Sequence, residues 1–196
     1  MIQALHFPAH WLAVVALSGL LAGCASTTVS LTPPQQRPVC DPSAGALVVW
    51  APQWRPDQKD VAEREAAVAT GLTNFLAAAD CFARSEGRRV PDLTAATVGA
   101  QATNTIGGYT RLVAIGVREL GPTVKLLSSA ALVEGGTEVV LHVAVFAVPA
   151  AMPIREFTVH WKHGGPGVVK GVATLAGDMQ AALRAGLQAG STPNHR

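Results

Sequence analysis

The chain has 196 residues, 49% of them hydrophobic and 14% charged, with a formal net charge of +2. That near balance, with no basic run longer than Arg88-Arg89, excludes the electrostatic footprint of a nucleic-acid-binding protein. The six histidines and three cysteines are too scattered to spell a metal motif.

Residues 12–23 form an almost unbroken run of Leu, Ala, Val and Gly. The run is too short to span a bilayer and ends in small residues, as the apolar region of a secretory signal does. Residues 1–10 carry no Lys or Arg, a departure from the usual positive start. The stretch Leu21-Ala22-Gly23-Cys24 resembles the lipobox of bacterial lipoproteins. That resemblance implies cleavage between Gly23 and Cys24, with Cys24 lipidated on sulfur and acylated, palmitate-like, on its new amino terminus. Several acyl chains, each contributing about 0.8 kcal/mol per buried CH₂, then hold the protein on a membrane. Ala25 after the cysteine, where Asp would signal inner-membrane retention, implies the periplasm-facing side of the outer membrane.

Residues 24–45 are rich in Ser, Thr, Pro and Gln and read as the lipidated cysteine and a flexible linker. About fifteen residues would separate the anchor from Cys40, a reach on the order of 20 Å as coil or 50 Å extended. A single domain is expected over 46–188, followed by a frayed tail at 189–196. The apolar run 46–51 reads as a buried strand. Asp60 and Glu63 have a capping-box-like spacing ahead of a helix whose Val61, Val68, Leu72, Phe75, Leu76, Ala79 and Phe82 recur at helical intervals.

Residues 92–105 are ambiguous, compatible with a weak helix. Strand-like runs at 111–119, 123–133 and 137–148 are separated by Gly121-Pro122 and Gly135-Gly136 and suggest a meander. Residues 154–163 alternate with one wet face; a short strand at 168–172 and a helix from Thr174 close the domain. The resulting class is α/β (α+β): a mixed, mostly antiparallel sheet of about five strands with two or more helices on one face.

Cys40 and Cys81 fall at the same end of such a fold and can pair in an oxidising compartment; the alternative is two separate buried thiols. His160 and His163, three apart on a strand, point to opposite faces and cannot ligate one ion from one side. His142 reads as a core histidine with its hydrogen bonds satisfied. The glycine pairs lack the context of a phosphate cradle, and no G-x-S-x-G elbow occurs. No catalytic residue, cofactor or metal is expected. Trp50 reads as core, whereas Trp54 and Arg55 read as a partner contact, because aromatic and arginine side chains anchor interfaces.

The order of elements, with "YTRLVAIGVRELGPTV" at 109–124, resembles a small α/β domain of envelope proteins. That group holds the amino-terminal domain of the Tol propeller protein, the penicillin-binding-protein activator lipoproteins and the curli-secretion lipoprotein, and the likeness covers about residues 46–186. It implies a non-catalytic binding or assembly factor whose partners are the membrane and an unidentified envelope protein or a second copy. Two alternatives are an auxiliary lipoprotein of a lipid-trafficking ABC transporter, which has a similar strand-helix start and finish, and a secretion-pore subunit.

Overall fold

The structure, a computed structural model, describes residues 25–34, 36–78, 81–104, 108–127 and 132–188, with backbone alone for 125–127 and 132–133. Six strands form one sheet: β1 (Ser26–Thr32), β2 (Asp41–Pro52), β3 (Phe82–Arg89), β4 (Arg111–Leu127), β5 (Leu132–Ala147) and β6 (Met152–Pro166), in the order β1-β6-β5-β4-β2-β3. β2 runs parallel to β3 and β4, and every other pairing is antiparallel. Among the described residues three helices accompany the sheet: α1 (Val61–Ala78), α2 (Ala95–Thr103) and α3 (Leu175–Leu183), the last continued by a π turn at Arg184–Gln188. The expected α/β class therefore holds, with six strands in place of five.

β2 is apolar on both faces because both are covered. Ala46, Val48 and Trp50 join the core under α1 and α3, while Leu47, Val49 and Ala51 join a smaller core with Val98 and Ala102 of α2. The buried stripe of α1 runs Arg64, Ala67, Val68, Gly71, Leu72, Phe75. Gly71 is where α1 meets α3: a Cβ there would lie 2.7 Å from the Ala176 carbonyl oxygen, so only glycine permits this approach.

Several expectations need correction. The segment read as linker holds β1, the edge strand beside β6, and its last five residues already belong to β2. The Ser/Thr-rich composition of β1 hides a period of two in which half-buried Val29 and Leu31 pack on the core. The chain then crosses to β2 under two arginines. Arg155 donates to the carbonyls of Arg37 and Pro38, and Arg111 donates to the Val39 carbonyl and to Asp41.

Phe82 does not end a helix. It opens β3, whose Arg84, Glu86, Arg88 and Arg89 guard the opposite sheet edge with charge. Asp60 has a φ of 53°, in the left-handed region, where a capping residue is ordinarily extended. Residues 92–105 hold a true helix: Thr94 Oγ1 caps the Thr97 amide of α2.

Gly121-Pro122 makes no turn. β4 passes straight through, bulging between Val117 and Glu119, and Pro122 is tolerated because β2 has already ended at the level of Val117. Gly135-Gly136 makes no turn either: a Cβ on Gly135 would meet the Val168 carbonyl oxygen at 2.1 Å, and one on Gly136 the His163 carbonyl oxygen at 2.5 Å. These glycines admit close backbone neighbours inside a strand. Residues 168–171 are not a strand; a 3₁₀ turn at Val172–Thr174 leads into α3.

Candidate functional site

An open groove of about 770 Å³ lies between the β1–β6 edge and α3. Thr27 and His163 stand on its strand side, Trp161 in its floor, and Ala181, Arg184, Ala185 and Gln188 on its helical side. His163 shares a 2.8 Å hydrogen bond with Thr27 and stacks on Trp161, ring centroids 5.8 Å apart. Asp178, only 7% exposed, closes one end. Its carboxylate accepts from Thr137 Oγ1 at 2.7 Å, Lys170 Nζ at 2.5 Å and Thr174 Oγ1 at 3.1 Å.

Three donors leave Asp178 little capacity for a substrate, so it acts as a pin joining β5, the 168–174 segment and α3. Asp178→Ala is expected to destabilise the fold by about 2 kcal/mol in urea titration, less than a fully buried pair because Lys170 can turn toward water.

The second surface is the sheet face opposite α1 and α3. α2 packs on the β2–β4 part of that face, and its β5–β6 part presents Glu138, Val140 and His142 beside Glu156, Thr158, His160 and Lys162. The histidine pairs are diagonal, His142 Nε2 lying 2.6 Å from Glu156 and His160 bonding Glu138, which also holds its direct cross-strand partner Lys162 at 3.4 Å. His142 is thus a half-buried surface-pair residue and not a core one. Among the described residues no three His, Cys, Asp or Glu side chains gather as a metal site.

Burial alone would raise the Glu138 carboxyl, but the His160 hydrogen bond and the Lys162 charge outweigh it and hold the group below the usual carboxylate range. A depressed folded value means stability that is present at neutral pH and lost as pH falls through that value. Urea midpoints should therefore drop on acidification from pH 7 to about pH 3.5, and Glu138→Gln should flatten part of that drop.

Of the residues singled out from the sequence, Gly23 and Cys24 lie outside the described residues. Cys40 and Cys81 are joined in a disulfide, Cα atoms 4.4 Å apart, that ties the start of β2 to the start of β3. Trp54 and Arg55 part company. Trp54 is half-buried against the main core with its indole N–H unpartnered, so it is no free anchor. Arg55 is 66% exposed and reaches Glu119 at 3.5 Å beside a shallow depression lined by Gln53, Arg118, Glu138 and Val140.

Arg64 escapes the sequence reading altogether. It occupies the place beside β4 that β2 vacates, donating to the Lys59 carbonyl at 2.8 Å, to Glu119 at 3.1 Å and to the Leu120 carbonyl. The available signal is its position on the buried stripe of α1, three and four residues ahead of Ala67 and Val68.

No family model and no curated protein matches the sequence. Among solved structures, the chain is similar to the PelC dodecamer from Paraburkholderia phytofirmans at 13% identity, covering 81% of this chain and 95% of that one with a TM-score of 0.45. It is also similar to a putative neuraminyllactose-binding hemagglutinin homolog from Helicobacter pylori, at 12% identity, 76% and 80% coverage and a TM-score of 0.41. A third is lipoprotein GNA1162 from Neisseria meningitidis, at 14% identity, 74% and 99% coverage and a TM-score of 0.40.

Proposed function

We propose that this chain is a bacterial envelope lipoprotein, anchored by acyl chains at Cys24 to the periplasm-facing leaflet of the outer membrane, that binds or assembles other envelope components without catalysing a reaction. The observation that carries this reading is the joint between anchor and domain. The apolar run 12–23 ends at Cys24, and only Ala25 separates that cysteine from β1. The Cys40–Cys81 bond supports it, since such bonds persist in oxidising compartments.

With β1 folded onto the sheet edge, the tether shrinks from the fifteen residues expected on composition to two Cα steps, about 7 Å. A domain so mounted meets partners at the membrane surface. It offers them the charged β5–β6 face and the groove beside α3, broad and open surfaces suited to macromolecular contact.

The test is to crosslink cells carrying a C-terminally tagged copy, extract in mild detergent and determine what co-purifies. A distinct envelope protein in fixed ratio, lost with Cys24→Ser, is the expected result. Recovery with an inner-membrane transporter or as a ring of this chain alone would favour the transporter or pore reading instead. Unchanged membrane attachment of Cys24→Ser would overturn the anchor.

A further inference from the structure

Register across the sheet locates the anchor. Ser26 pairs with Gly164, Gly164 with Gly136 and Gly136 with Thr123, so these four residues form one row. Cys24 lies two residues upstream of that row and reaches about 7 Å beyond it at most. β4 and β5 continue in the same direction for four further pairs, ending at Leu127 with Leu132, or about 13 Å.

The strand ends therefore extend past any position open to the Cys24 backbone. Acyl chains held at Cys24 can enter a leaflet only if the ends of β4 and β5 reach the same leaflet or the whole domain tips over.

The residues at those ends suit lipid. Lys125 and Glu134 are cross-strand partners, and between them the sequence carries no charged residue, with Leu126, Leu127, Leu132 and Val133 on the strands. Val124, in the next row, is 69% exposed, and Val169 is 89% exposed on a segment whose Val168 carbonyl lies against Gly135, the partner of Val124. No core uses these valines. At the other end of the sheet, Arg111 and Arg155 bind the crossing segment 37–41 with charge-assisted bonds, Arg111 to the Asp41 carboxylate and Arg155 to the Arg37 and Pro38 carbonyls.

We infer that the Val124–Val169 end of the sheet seats in the lipid–water interface beside the Cys24 anchor and fixes the domain in one orientation on the membrane. This inference rests on lipidation of Cys24. An apolar tip sinking the 5–10 Å typical of interfacial segments adds orientation that lipid chains alone cannot impose.

The test uses the full lipidated chain in phosphatidylethanolamine–phosphatidylglycerol vesicles. An environment-sensitive dye is placed through Val169→Cys in one sample and through Met152→Cys, an exposed site at the far end of β6, in another. Both are floated on a density gradient and challenged with lipid-borne quencher. The expected result is flotation of both, with the dye at 169 quenched roughly threefold more than the dye at 152. Flotation with equal, weak quenching would overturn the orientation while leaving the anchor intact. Failure to float would remove the anchor and the inference with it.

Discussion

Replacing both Cys40 and Cys81 by serine is expected to lower the free energy of unfolding by about 4 kcal/mol in the chain-entropy model for the 41-residue separation they close. The effect is large for a topological reason. The bond joins the entry of β2 to the entry of β3, with the whole of α1 in the loop between them, and the Asp41 amide donates to the Cys81 carbonyl at 2.7 Å alongside it. Without the bond, the unfolded chain regains the freedom to separate the two parallel strands. The urea midpoint of the wild type should fall on addition of reductant to that of the serine variant, which should not respond. An oxidised midpoint equal to the reduced one would contradict this account.

Removal of the Arg64 side chain as alanine is expected to cost about 4 kcal/mol, within the range for breaking a buried charge pair. The guanidinium is buried where β4 has outrun β2, and its N–H groups serve the Leu120 carbonyl of β4 and the Lys59 carbonyl ahead of α1. Arg64→Lys should recover little, because an ammonium has one nitrogen where Glu119, Lys59 and Leu120 are reached by two. Gly121 belongs to the same site, since a Cβ there would fall 1.9 Å from Arg64 Nη1. Gly121→Ala should therefore destabilise in wild type and much less in the Arg64→Ala background. Equal effects in both would separate the two residues.

An element shows in the sequence to the extent that it buries side chains. α1, α3 and β5 are legible because their buried positions recur at the period of the element, as Val68, Leu72 and Phe75 do in α1, and β2 because its buried residues form one unbroken apolar run. β1 and β3 are edge strands that bury little. β1 therefore reads as a polar linker, and β3, with four charges among eight residues, resembles the tail of the preceding helix. Gly121-Pro122 and Gly135-Gly136 mislead for a different reason. Glycine marks close backbone approach as readily as a turn, and the neighbours that require it, Arg64 and Val168, are distant in sequence.

The candidate surfaces were hidden for the same reason. The Glu138–His160 and Glu156–His142 pairs span two strands and depend on a register that the misplaced turns would have shifted. Trp54 misled in the opposite direction, because its flanking prolines suggest an exposed loop while its ring lies on the core. The proposal for Cys24, by contrast, rests on residues 12–24 alone, since a signal segment would be a linear stretch of chain that needs no fold to be read.

Direct mounting of the domain on a lipidated cysteine is read from the intact mass of the protein purified from membranes. The expected species is a chain beginning at Cys24, heavier than residues 24–196 by thioether-linked and amide-linked lipid, with Cys40 and Cys81 oxidised. A chain that keeps residues 1–23, or begins elsewhere with an unmodified Cys24, would contradict it.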